Sequence, residues 1–346
     1  MQAARRSELV RAGHSRRGAR RTFDRVTRCF YAHRGLRDAS VAEAQRFTQF
    51  REAGPVVHSM RQRVQFHALE NPHAVMTGWA ALRLFGLQFW ADCAPVTLAS
   101  AYKGCRARRT RLPVVREEHP VEAFESLRSW RVDDVPVRTV NWSFALVSAL
   151  KDVLRGRCTW LVVEIPGLSA REVRAIQLVS AVRRLDAVDW SSELLFRAAH
   201  GRICRRMLRR ILFHSDAHSD SPPETLLNVL VRSSRLLPVG RWEGQVPIFD
   251  GGSLDSRGKT RWDVVARPDL MCRELKIALF YDGSVHRDQE VFARDARIVG
   301  ELQANGWMVL RVTWPMLRNS YQLVLTVRSM VAQQMMRRSA ALARRG

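Results

Sequence analysis

The stretch from residue 260 to residue 314 constrains the fold of this chain more than any other. It reads TRWDVVARPDLMCRELKIALFYDGSVH, then a segment of helical periodicity, then NGWMVLRVTW. The flanking segments are crowded with β-branched and aromatic residues, as strands require. Between them Val291, Phe292, Ile298, Val299 and Leu302 recur at the spacing of one helix face, with Asp288 as cap and Gly306 as stop. Strand, strand, helix and strand in this order bury their apolar faces as a layered α/β core. Asp263 lies on the first strand, TRWDVVAR. Tyr281-Asp282-Gly283 and His286 close the second, ELKIALFYDG, after a turn at Arg267-Pro268-Asp269. Carboxylates and an imidazole therefore converge at strand ends.

A convergence of this kind suits metal-assisted phosphodiester chemistry, and the composition supplies a reason for nucleic acid to come near it. The 346 residues carry 57 basic against 33 acidic side chains, a net charge of +24. Lysine occurs only at Lys103, Lys151, Lys259 and Lys276, so nearly all of that charge is arginine. The planar guanidinium grips phosphate oxygens two at a time, and such an excess predicts salt-dependent attraction to DNA. The six cysteines are scattered, with no pair at zinc-knuckle or redox spacing, which fits a reduced, cytoplasmic protein. No run of 18 apolar residues exists, so no membrane partner is expected.

Residues 1–40 hold eleven arginines against Glu8, Asp24 and Asp38. Ser7 is placed to cap a helix ended by Gly13, and Ser15 a second helix bearing Arg16, Arg17, Arg20 and Arg21. Ala19 and Phe23, four apart, face inward together. The run VTRCFYAHRG then suits a strand. Two short helices across a glycine turn, followed by a strand, read as a helix-turn-helix with a wing. The phrase SELVRAGHSRRGARRTFDRVTRCFYAHRG resembles the N-terminal winged helix of AbiEi-type antitoxins. The resemblance implies that the four arginines lie on a DNA-recognition helix and that a cognate toxin or a second copy is a partner.

The middle of the chain carries helices and short strands. Thr77 opens a helix with Trp79, Ala80, Leu82 and Phe85, stopped by Gly86; PVTLAS reads as a strand, and VPVRTVNWSFALVSALKDV as strand then helix. Ser169 and Glu172 form a capping box. This order, too, resembles the AbiEi-type middle region. Arg106, Arg108, Arg109 and Arg111 crowd into a charged loop or strand. RICRRMLRRIL is a helix with one apolar and one basic face. HSDAHSDSPP, with two histidines and two aspartates, has the composition of a linker.

From Ser221 onward the elements become regular. Helix SPPETLLNVLVRSSRLLP places Glu224 in its first turn and Leu226, Leu227, Leu230 and Val231 inside. This order resembles the PD-(D/E)XK restriction-endonuclease-like fold, and more narrowly the family related to very-short-patch-repair (Vsr) endonucleases. The matching residues are Glu224, Asp263, Asp282, Gly283, His286, Arg294, Asp295, Gly306, Trp307 and Arg311. The resemblance implies magnesium or manganese held by Asp263 and Asp282, with His286 as general base or leaving-group partner. Glu224 and Asp295 would orient metal waters, and Arg294 would contact DNA. Phe280 departs from the pattern, which usually places glutamate there; Vsr enzymes also carry phenylalanine at this position. Glu274-Leu275-Lys276 spells the E-x-K of the wider fold at the wrong end of its strand, about 20 Å from Asp282.

These features predict a mixed α/β protein. Its expected parts are a winged-helix region at 1–55, an α+β middle region at 56–213, a linker at 214–223, a nuclease-like domain at 224–335 and a basic tail at 336–346. Two functions follow: a metal-dependent DNA endonuclease, or a non-catalytic antitoxin or transcriptional regulator whose nuclease-like fold only holds DNA.

Overall fold

The computed structural model describes residues 3–27, 29–51, 56–101, 114–237, 242–249, 253–254, 260–261, 264–283 and 289–343. The fold is mixed α/β. The chain divides into two compact units, Met1–Leu161 with Val182–Ile211, and Val162–Ala181 with Leu212–Gly346. These limits differ from the expected ones: residues 1–55 and most of 56–213 share a unit, while Val162–Ala181 joins the C-terminal residues.

In the first unit, strand β1 (Ala3–Arg5) leads into helices α1 (Arg6–Arg11) and α2 (Arg16–Thr22). Gly13 joins the helices at φ +79°, backbone that glycine adopts without strain. Ser15 caps α2 by accepting from the Gly18 N–H at 3.0 Å. Helix α1 starts before Ser7, the expected cap, because Glu8 reaches back to accept from the Arg5 N–H at 2.7 Å. The run VTRCFYAHRG forms one strand, β3 (Phe30–His33), and a second strand ahead of it, β2 (Phe23–Arg25), pairs with it antiparallel. Thr27 turns the chain between them, its hydroxyl accepting from the Phe30 N–H at 3.0 Å. β1 pairs with β3 to complete the sheet. Ala4, Leu9, Ala19 and Phe23 bury together beneath it, so Ala19 and Phe23 do face inward. Arg37 donates twice to Asp24, at 2.8 Å each, and holds that carboxyl below its ordinary range.

Helix α3 (Ala39–Phe47), strand β4 (Thr48–Phe50) and helix α4 (Met60–Glu70) precede the central sheet of this unit. That sheet is built from β5 (Val75–Thr77), β6 (Val96–Ser100), β7 (Val114–Glu118), β8 (Arg128–Val132) and β9 (Val135–Thr139), in the order β7-β6-β5-β9-β8. Asp133 and Asp134, at φ 44° and 66°, make the two-residue turn between β8 and β9, the geometry that matches strand twist. Helix α5 (Gly78–Leu84) packs on helix α7 (Trp142–Leu154), the short α6 (Glu122–Glu125) lying before β8. Trp79, Leu82, Trp142, Leu146 and Leu150 are fully buried. Strand β10 (Cys158–Trp160) pairs with β4, and Trp160 stacks on Trp90 at 4.4 Å between ring centres. The charged loop at 104–113 lies outside the described residues.

Helix α8 (Ala170–Arg183) is opened by the expected box, Ser169 N–H donating to Glu172 at 2.8 Å and Glu172 N–H to Ser169 Oγ at 3.3 Å. Helices α9 (Ser192–Ala199) and α10 (Arg205–His214) follow. The second unit is centred on α11 (Pro222–Ser233), whose residues 225–231 are all buried. Its strands are β11 (Trp242–Glu243), β12 (Ile248–Phe249), β13 (Ser253–Leu254), β14 (Thr260–Arg261), β15 (Val264–Ala266), β16 (Leu270–Cys272) and β17 (Ile277–Asp282). Then come α12 (Gln289–Ala304), β18 (Met308–Thr313), α13 (Trp314–Arg318) and α14 (Ser320–Ala343). Strands β11, β16, β17 and β18 form one sheet in that order, with β17 and β18 parallel. Helix α14 runs on through most of the residues expected as a tail.

The segment 214–223 is not a linker but part of this unit. Asp216 is buried and accepts from the His218 and Ser219 N–H groups at 2.8 and 3.0 Å, and from the Asn228 amide. A carboxylate removed from water requires such donors, and these anchor the chain against α11.

Candidate functional site

Two polar clusters flank strand β17, one on each face. The period-2 alternation of a strand sends neighbouring side chains to opposite sides. Phe280 packs against the core of Ile248, Ala266, Met271, Ala278, Leu302 and Trp307. Asp282 follows on that face, towards α12. Tyr281 lies on the other side, where Glu224 and Asp282 both add to the burial that pushes its phenol above the ordinary value.

The pairing of β17 changes the carboxylate at its end. Of the expected strand TRWDVVAR, the described residues pair as β14 with β13 and as β15 with β12. The hairpin partner of β17 is instead β16, with Leu270 opposite Leu279 and Cys272 opposite Ile277. Glu274-Leu275-Lys276 falls in the turn between them, Lys276 at φ +49° donating its N–H to the Arg273 carbonyl at 3.1 Å. Strand β17 thus begins at Ile277, not Glu274. The carboxylate brought to the open end of this hairpin is Asp269, which the sequence suggested only as a turn residue. Its Oδ2 accepts from the Tyr281 N–H at 2.5 Å.

Asp269 meets Glu224 through a shared donor. Gln245 Nε2 lies 2.7 Å from Asp269 Oδ1 and 3.3 Å from Glu224 Oε2. Backbone at φ +54° and an N–H bond to the Pro268 carbonyl at 3.1 Å hold Gln245 there. Glu224 also closes the first turn of α11, accepting from the Ser221 hydroxyl at 2.7 Å and the Asp220 N–H at 2.6 Å. Burial, and next the charge of Glu224, push the Asp269 carboxyl up to about 7, against the bonds from Tyr281 and Gln245. The Asp269 carboxyl therefore keeps its proton up to near-neutral pH.

The second cluster is organised by Arg311 on β18. Parallel pairing sets Arg311 opposite Phe280 and Thr313 opposite Asp282. Arg311 grips Asp282 with two bonds, Nε to Oδ2 at 2.5 Å and Nη2 to Oδ1 at 2.8 Å. The same Nη2 reaches Asp295 Oδ2 of α12 at 3.0 Å. Hydrogen bonding to Asp282, and then to Asp295, raises the guanidinium further above its ordinary pKa.

The expected site residues are therefore divided between two places. Glu224 belongs to the Asp269 cluster, while Asp282 and Asp295 belong to Arg311. Asp263 and His286 lie outside the described residues, as does Asp288. Arg294 lies on α12, and Arg16, Arg17, Arg20 and Arg21 on α2, with Arg21 exposed. Asp269 and Gln245 were not singled out by sequence. A register count could have found Asp269, because a hairpin turning at 273–276 sets residue 269 level with Phe280.

Of the two expected metal ligands, Asp263 lies outside the described residues and Asp282 spends both carboxylate oxygens on Arg311. Phe280 stands where a second acid would. Among the described residues, no three His, Cys, Asp or Glu side chains gather as a ligand set. No described helix is long and apolar enough to cross a membrane. No protein-family model and no curated protein matches this chain.

Proposed function

We propose that this is a DNA-binding protein of the antitoxin or transcriptional-regulator kind, whose nuclease-like second unit does not cut. The observation that carries the reading is the Arg311 grip on Asp282 and Asp295. A guanidinium that occupies both carboxylates supplies, with a fixed charge, the compensation that a catalytic metal would otherwise bring. Support for DNA as partner comes from the +24 charge, nearly all arginine. It also comes from the turn-linked helices α1 and α2, followed by the β2–β3 hairpin, the arrangement in which a second helix enters the major groove. Arg16, Arg17, Arg20 and Arg21 then meet phosphates from α2, and a second copy of the chain is the natural partner for a paired half-site.

The test is fluorescence anisotropy of a labelled duplex in EDTA across a salt series. The wild-type chain binds with a steep negative salt slope. Replacing the four α2 arginines by glutamine lowers that slope by up to about 3.6, at about 0.9 for each phosphate no longer neutralised. Absence of binding at any salt rejects the reading. The metal-dependent endonuclease is the second reading, and one observation favours it: the crowding of Glu224 and Asp269, which a divalent cation would relieve as well as a proton does.

A further inference from the structure

We infer that the exposed face of helix α10 is a second DNA-binding surface, one that takes the sugar–phosphate backbone. The inference rests on the DNA-binding reading above and adds a surface to it. From Leu194 to Ser215 the chain contains no aspartate or glutamate but six arginines. Leu208 and Ile211 are fully buried and orient the helix. The helical repeat then turns Arg205, Arg206, Arg209 and Arg210 outward, and all four are exposed.

Arg197, Arg202 and Arg205 have partners within this unit. Arg202 points inward and donates to Glu117 at 2.8 Å. Arg197 faces Glu193 at 3.4 Å, and the Arg205 guanidinium lies over the Phe196 ring, 5.7 Å from its centre. Arg206, Arg209 and Arg210 are exposed and lie farthest round the helix from Leu208 and Ile211. Arg206 and Arg210 are four residues apart, about 6 Å along the axis, close to two phosphate steps of one DNA strand at about 3.4 Å each.

The experiment compares the full chain with R206Q/R209Q/R210Q and with R328Q/R337Q/R338Q, a variant of equal charge change on α14. All three are titrated into a labelled duplex across a salt series, and thermal melting establishes that each is folded. The α10 variant is expected to raise Kd on the order of tenfold and to lower the salt slope by about 2 to 3. The α14 variant should show a smaller change than this. Equal effects from the two variants overturn the inference, because net charge alone then explains the loss. An α10 variant that matches the wild type also overturns it while leaving the DNA-binding reading intact. A wild-type chain that does not bind removes both.

Discussion

Replacing Asp269 by asparagine should make the second unit more stable at alkaline pH, although it removes a hydrogen-bonded carboxyl. The carboxyl is held near 7 in the folded chain against 3.8 as a free group. Between those values the folded chain keeps a proton that the unfolded chain has released, so stability falls as pH rises through that window. At about 1.4 kcal/mol for each pH unit, the loss amounts to at most about 4 kcal/mol. Water reaching this partly buried group reduces it. Asparagine is neutral, can still accept from the Tyr281 N–H, and places no charge beside Glu224. The assay is urea unfolding of both proteins at pH 5 and pH 8. His67 and His119, lowered to about 4 chiefly by burial, tilt the same curve the opposite way. The quantity to read is therefore the difference between the two proteins. It should favour the variant by a few kcal/mol more at pH 8 than at pH 5. A difference that does not change with pH refutes the raised Asp269 carboxyl.

Three further outcomes follow from the side-chain partners. Arg311→Met leaves Asp282 and Asp295 without their common donor; it should cost about 1–3 kcal/mol and create manganese binding, detectable by calorimetry, that the wild type lacks. Asp216→Ala strips the acceptor from two backbone N–H groups and the Asn228 amide. It should lower unfolding stability by about 3 kcal/mol or more, measured by denaturant midpoint. Glu117→Ala leaves Lys151, at 2.6 Å in the native pair, and Arg202 without their carboxylate. A loss of about 3–5 kcal/mol is expected for a pair this buried, and a loss below about 1 kcal/mol would show that water reaches the two cations.

The helices of this chain were largely legible because their signals are local. Ser15, Ser169 and Ser221 each open a helix with a side-chain bond to a backbone N–H within three residues, and Gly13, Gly86 and Gly306 close helices at positive φ. The apolar face of α11 and the strand Met308–Thr313 were equally readable from composition. Strand pairing was not, because it depends on partners distant in sequence. Leu270-Met271-Cys272 is too short to announce itself beside TRWDVVAR, so Asp263 drew the attention that the hairpin gives to Asp269. Gln245 carries no local signal at all: its role arises only when the Pro268 carbonyl fixes it between two acids. The Asp216 turn was misread because Ser, Asp and His in a row look like a solvent-exposed link, whereas the Asn228 amide from α11 makes their burial possible. Arg311 could be placed on a strand, but its carboxylate partners depend on β17 and β18 running parallel in one register.

The measurement that tests the central claim most directly is incubation of supercoiled plasmid with the full chain in magnesium, in manganese and in EDTA, resolved on a gel beside Asp269→Asn. A DNA-binding protein that does not cut gives retarded DNA in all three conditions and no nicked product in any. Nicking that requires the metal and disappears in the Asp269 variant would contradict this, and would show that Glu224 and Asp269, rather than Asp282, hold a working metal.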